Sequence, residues 1–112
     1  MERSMSGINE EVILYVRYDG PPDARFDRTV YVRDHLPMVL DAWTKYGLLS
    51  AVALFPAAEL CGTIALCECR FRDEAAISAA FGSPETAAII EHIHDFTDLS
   101  PSRHRVVPVE LM

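Results

Sequence analysis

Proline and glycine cut this 112-residue chain into regular pieces, and the order of those pieces allows few folds. Glu11 to Tyr18 (EVILYVRY) is apolar, β-branched and aromatic, which reads as a strand. Asp19-Gly20-Pro21-Pro22 ends it with turn residues. Asp23 is placed to cap a helix that begins near Ala24 and runs towards Tyr46. Pro37 lies inside that helix. Proline removes one backbone hydrogen bond and disfavours helical geometry at the residue before it, so a kink or short break is expected at His35-Leu36-Pro37. Gly47 suits the C-terminal cap. Leu48 to Phe55 (LLSAVALF) is a second strand closed by Pro56, and Ala57 to Gly62 is the connection. Gly62 to Arg72 (GTIALCECRFR) is a third strand. It sets Thr63, Ala65, Cys67, Cys69 and Phe71 on one face, and Ile64, Leu66, Glu68 and Arg70 on the other. Asp73 caps a short helix, Glu74 to Phe81, stopped by Gly82. Ser83-Pro84-Glu85 then opens a helix over Thr86 to Thr97, whose stripe is Ile89, Ile93 and Phe96. Arg103 to Leu111 (RHRVVPVEL) is the last strand, and its Pro108 favours an edge position.

The order β-α-β-β-α-β predicts an α+β, ferredoxin-like sandwich with helices on one face of a four-stranded antiparallel sheet. The other face needs a cover, and a second copy of the same sheet supplies one. Half of the residues are apolar. A domain of this size buries only about two-thirds of its unfolded surface, so the surplus is assigned to a partner subunit or a ligand pocket. The reading is one domain over 1–112, with residues 1–10 as a polar tail. A net charge of −7 gives no general attraction for phosphate backbones or anionic lipid, so neither nucleic acid nor membrane is expected as a partner. No apolar run reaches the roughly 20 residues of a spanning helix. The polar start lacks the basic-then-apolar pattern of a signal peptide, and the three cysteines are an odd number; both favour the cytosol. No cysteine pair has metal-ligand spacing, and neither a metal nor a phosphate loop is expected.

His35 is the first candidate for chemistry. Its ordinary pKa near 6.5 suits proton transfer, and Tyr31, four residues earlier, shares its helix face. Such a pair suits a hydroxylated or carbonyl substrate. The competing reading has His35 bonding carbonyls loosened by Pro37. Tyr15, Trp43, Cys67 and Met38 form the candidate substrate-facing set, with ordinary core or dimer packing as the alternative. A nucleophilic Cys67 would need a nearby base to lower its pKa. His92 and His94 point about 200° apart on a helix, so they cannot chelate one metal there.

Three stretches carry a family resemblance. The first is the helix segment from Phe26 to Val39, with His35-Leu36-Pro37 inside it. The second is Phe71-Arg72-Asp73-Glu74-Ala75-Ala76-Ile77, a strand end followed by a small-residue helix. The third is Ala79-Ala80-Phe81-Gly82-Ser83-Pro84-Glu85, continuing to Asp95-Phe96-Thr97-Asp98. Together they resemble the EthD-like group of the dimeric α+β barrel superfamily. The resemblance implies a homodimer joined through the sheet faces and a pocket between each sheet and its own helices. Superfamily relatives include cofactor-free oxygenases, lactone isomerases and polyketide cyclases. It therefore implies binding of a small apolar or aromatic metabolite in a degradation or secondary-metabolite pathway. Any catalysis would be isomerase, cyclase, lyase or monooxygenase chemistry without metal or organic cofactor, with His35 as acid/base and Tyr31 as orienting donor. The alternative is a non-catalytic ligand-binding or accessory dimer. A pocket bordered by His35 and aromatics favours the enzyme; a core filled by Ile89, Ile93, Phe96 and Met38 favours the accessory role.

Overall fold

The computed structural model describes residues 10–58 and 62–109. The polar tail, the middle of the second connection with Cys61, and the end of the expected last strand at Glu110 and Leu111 lie largely or wholly outside the described residues. Strands β1 (Val12–Gly20), β2 (Leu48–Leu54), β3 (Gly62–Phe71) and β4 (Ser102–Val106) form one sheet in the order β2-β3-β1-β4. Every neighbouring pair is antiparallel. This is the ferredoxin-like topology that the element order predicts. β4 occupies an edge, and it stops at Val106, so Pro108 lies beyond the strand rather than within it.

The sheet register explains which residues meet the helices. Val12, Val16 and Tyr18 of β1 face Phe71, Cys67 and Ala65 of β3, and Ala53 of β2 pairs with the same Cys67. These side chains alternate with the set on the other face, as the period of a strand requires. Ala65, Cys67, Cys69 and Phe71 are buried, while Ile64, Leu66, Glu68 and Arg70 are half-buried. On that second face Val52 and Leu54 are exposed, and Tyr15, Glu68 and Arg70 form a polar line that ends on Glu11. The open face thus mixes apolar side chains with one internal ionic network.

The first helix, α1, runs without a break over 28–46, so it does not start at Ala24 and does not break at Pro37. Asp27, not Asp23, is the cap: its Oδ1 accepts from the Val30 N–H at 3.1 Å. The reason is tertiary. Phe26 bridges to Thr97, and the Asp27 N–H donates to the Phe96 carbonyl at 2.8 Å, which holds residues 25–27 extended. A single-turn α segment (Arg28–Val30) passes into a π turn (Tyr31–His35), an α segment (Leu36–Trp43) and a 3₁₀ turn (Thr44–Tyr46). Pro37 has no N–H for the carbonyl four residues back, and its ring crowds that carbonyl. The wider turn just before it, with the Leu36 N–H reaching back to the Tyr31 carbonyl, absorbs both problems without ending the helix. Gly47 then closes α1 in the left-handed region, φ 117°, where a Cβ would meet that of Ala76 at 2.5 Å.

Helix α2 (Glu74–Phe81) is capped by Asp73 as expected, through a 2.8 Å bond from the Ala76 N–H. Helix α3 is shorter than the sequence suggests. It spans Thr86–His92 and tightens into a 3₁₀ turn over Ile93–Asp95. Ser83 and Pro84 form a turn ahead of it, because the Ser83 hydroxyl donates back to the Ala80 carbonyl at 2.6 Å. Trp43 and Thr86 join α1 to α3: the indole N–H donates to Thr86 Oγ1 at 3.1 Å, and that hydroxyl donates to the Ala80 carbonyl at 2.7 Å. Among the described residues, no helix is long and apolar enough to cross a membrane.

Candidate functional site

The π turn decides which residues of α1 look inward. Tyr31 and His35 are buried, at 1% and 4% exposure, while Val32, Arg33 and Asp34 between them face solvent. Both buried residues line a cavity of about 60 Å3 enclosed by α1, α3 and the sheet. Its walls are Val16 and Tyr18 from β1, Val39 and Trp43 from α1, Cys67 and Cys69 from β3, and Ile89 and Ile93 from α3. Ile90 and Arg103, both solvent-exposed, also line it and mark where it meets the surface.

The cavity rests against an aromatic cluster. Phe96 is fully buried and lies 5.7, 5.2 and 5.0 Å from the rings of Tyr18, Phe26 and Tyr31, and 4.8 Å from His35. Its contacts with Tyr18 and Phe26, and those among Tyr18, Phe26 and Tyr31, are edge-to-face, the favoured geometry for aromatic quadrupoles. His35 is therefore held by apolar neighbours on several sides. Burial is the main cause that pushes its pKa down to about 4, and His92 beside it adds to the drop. At neutral pH the ring is uncharged. It is a proton acceptor, and its cationic form is costly there.

The polar atoms of the site are few. His35 Nδ1 lies 3.0 Å from His92 Nδ1, with the two imidazole planes within 8° of each other. Among the described residues the buried Tyr31 hydroxyl makes no geometrically well-formed hydrogen bond, and the Cys67 thiol lies beside it. Burial, and next the Cys67 thiol beside it, push its pKa well above the usual phenol value, so it keeps its O–H and can donate. The sulfurs of Cys67 and Cys69 are 3.5 Å apart. The Cys69 thiol beside Cys67 favours charge on Cys67 over Cys69, while burial opposes charge on both. His35 and Cys67 line the same cavity, but no hydrogen bond joins them among the described residues.

Of the sequence candidates, the fold thus brings His35, Tyr31, Trp43 and Cys67 to one cavity. Tyr15 sits on the opposite face of the sheet, donating to Glu68 Oε1 at 3.0 Å. Met38 lies on the outer side of α1, along an open groove with Pro37, Asp41, Lys45 and Glu85. Sequence reasoning missed His92 and Asp95, which are 3.5 Å apart. Their i,i+3 spacing was readable; their meeting with His35 was not, because it depends on how α1 and α3 pack. Among the described residues, no group of three or more His, Cys, Asp or Glu is placed to hold a metal ion.

No protein-family model matches the chain, and no curated protein matches it. Solved structures do. An EthD-like protein from Ralstonia eutropha JMP134 superposes with a TM-score of 0.74 at 22% identity, over 88% of this chain and 91% of that one. A Dabb family protein with a ferredoxin-like fold from Mesorhizobium loti MAFF303099 gives 0.63 at 12% identity, over 90% and 99%. SnoaB, a cofactor-independent oxygenase from Streptomyces nogalater, gives 0.57 at 11% identity, over 92% and 97%. The chain accordingly has the ferredoxin-like α+β fold of the EthD-like and Dabb proteins.

Proposed function

We propose that this chain is an EthD-like protein that binds a small apolar or aromatic metabolite between its helices and its sheet, and moves a proton on it with His35. The observation that carries the reading is the pairing, in one apolar cavity, of a neutral imidazole with a buried hydroxyl that has no oxygen or nitrogen partner among the described residues. A buried unpaired hydroxyl costs free energy, and a ligand oxygen that accepts from it recovers that cost. In the proposed step His35 takes a proton from an acidic O–H or C–H of the ligand. The electron pair stays on the ligand as an enolate-type anion, whose oxygen accepts from Tyr31. Return of the proton from His35 to a different atom of the ligand completes an isomerisation. Because the imidazolium is disfavoured by burial, the ligand proton must be acidic, as in a phenol or a 1,3-dicarbonyl compound.

The cavity of about 60 Å3 is smaller than the ~150 Å3 that holds a benzene ring, so binding must widen it. In the same proposal the open sheet face pairs with that of a second copy. Val52 and Leu54 stand exposed there beside half-buried Ile64 and Leu66. That face and the small cavity also favour a second reading, an accessory dimer without turnover. The two separate in a screen of phenolic and enolisable carbonyl compounds, read by thermal shift and by product formation. A compound that stabilises the parent and His35→Ala alike, but is turned over only by the parent, supports the catalytic reading. Turnover by His35→Ala at the parent rate sinks it.

A further inference from the structure

Resting on His35 as the proton acceptor, we infer that His92 and Asp95 are positioning residues that fix the tautomer of His35 and so make Nε2 its basic atom. The contact between Nδ1 of His35 and Nδ1 of His92 at 3.0 Å holds one proton between two nitrogens. One ring must donate there and the other must accept. A neutral imidazole has a single N–H, so between two uncharged rings the direction of this bond is decided by what the remaining nitrogens face.

Those remaining nitrogens differ. His92 Nε2 faces Asp95 Oδ2 at 3.5 Å, a carboxylate that can only accept when ionised. The contact is too long for a hydrogen bond, yet the carboxylate charge still favours a proton on the nitrogen turned to it. His92 therefore carries its proton on Nε2 and presents a lone pair at Nδ1. His35 must then donate through Nδ1–H, and its Nε2 is left as the lone pair on a ring that lines the cavity. Among the described residues no group bonds His35 Nε2 to reverse this preference. The near-coplanar rings, 8° apart, suit an in-plane N–H···N bond. The burial that keeps His35 uncharged protects the arrangement, since a protonated ring would donate from both nitrogens.

The consequence is a polarity for the ligand. With Nε2 an acceptor and the Tyr31 hydroxyl a donor, the ligand presents a hydrogen-bond donor or acidic hydrogen to His35 and an oxygen acceptor to Tyr31. A hydroxy-carbonyl compound in its neutral acid form meets both; a compound with acceptors alone meets only Tyr31.

The test is long-range 1H–15N correlation on the full chain at neutral pH, with the His35 ring assigned from its disappearance in His35→Gln. We expect a pyrrole-type signal at His35 Nδ1 and a pyridine-type signal at Nε2. Asp95→Asn, at a largely exposed side chain, should move both signals towards their average, and His92→Phe should exchange them. A parent protein whose Nε2 is the pyrrole-type atom overturns the inference, as does a His35 signal unmoved by either substitution. None of these readouts involves turnover. The expected tautomer in a protein that converts no ligand would sink the catalytic proposal alone.

Discussion

Replacing Tyr31 with phenylalanine removes one atom and should make the protein more stable. The ring of Tyr31 is held by Tyr18 at 5.8 Å, Phe26 at 5.1 Å and Phe96 at 5.0 Å, contacts that phenylalanine keeps. Its side chain is 1% exposed, so the shape of the core is unchanged. What disappears is a buried hydroxyl that has no oxygen or nitrogen partner among the described residues. Such an unpaired buried group costs about 1–3 kcal/mol. In a domain of roughly 100 residues, 1 kcal/mol moves the melting temperature by about 4 °C. Tyr31→Phe should therefore raise Tm by about 4 °C or more, measured by circular dichroism and checked by urea unfolding at constant m. Any ligand that binds through this hydroxyl should lose its stabilising effect on the variant. A fall in Tm would refute the reasoning, for it would mean that the hydroxyl holds a bond worth more than its desolvation, with the neighbouring Cys67 thiol as the candidate partner.

Two further outcomes follow from the same geometry. His35 has a folded pKa of about 4 against an ordinary 6.5, so above pH 6.5 it is neutral in both states and adds no pH dependence. As pH falls from 6.5 to 4 the unfolded chain takes up a proton that the folded ring refuses, and stability drops by roughly 3 kcal/mol, all of it lost below the folded pKa. Urea unfolding across that window should show this loss in the parent and a flatter curve in His35→Gln; equal slopes would exclude burial of a neutral ring. On the open sheet face, Leu66→Arg places a charge among Val52, Leu54 and Ile64, opposite Arg17 on β1 and Leu54 on β2. Light scattering should find the parent at twice the chain mass of 12.5 kDa and the variant at the chain mass. A parent that already runs as a monomer removes the sheet-to-sheet dimer.

The sequence carried the element order because each boundary is local chemistry. Asp73 before a small-residue helix, Gly47 at a left-handed cap and the alternation Ala65, Cys67, Cys69, Phe71 are all decided within a few residues. The errors fall where distant residues intervene. Asp23 reads as the cap from its near neighbours alone, and the distant bridge from Phe26 to Thr97 makes Asp27 the cap instead. Pro37 reads as a helix break when its missing N–H is the only consideration. The π turn supplies another solution, which the pull of Tyr31 and His35 towards one buried face makes worthwhile. The same holds for the site. His35 and Tyr31 share a face of one helix and were visible as a pair, whereas His92 reaches His35 from another helix, 57 residues on.

The unpaired hydroxyl, the π turn and the small volume of the site belong to one design problem, since the first two persist only where the surroundings over-determine them. Here both ends of α3 are tied down. At its start Trp43 binds Thr86, which in turn binds the Ala80 carbonyl; beyond its end the Phe96 carbonyl accepts from Asp27, and the Thr97 hydroxyl donates to the Arg25 carbonyl at 2.6 Å. Rigid-body opening of α3 would break these bonds together. Widening the cavity by side-chain movement breaks none of them. Ile90 is half-exposed at the rim, and the Arg103 guanidinium rests over the Phe81 ring at 5.0 Å without a carboxylate partner among the described residues. An exposed cation–π contact of this kind is worth only about 0.5–1 kcal/mol. Turning Arg103 and Ile90 outwards is thus the low-cost route to a larger pocket for the proposed ligand, and it leaves the pinned Tyr31, His35 and His92 in place.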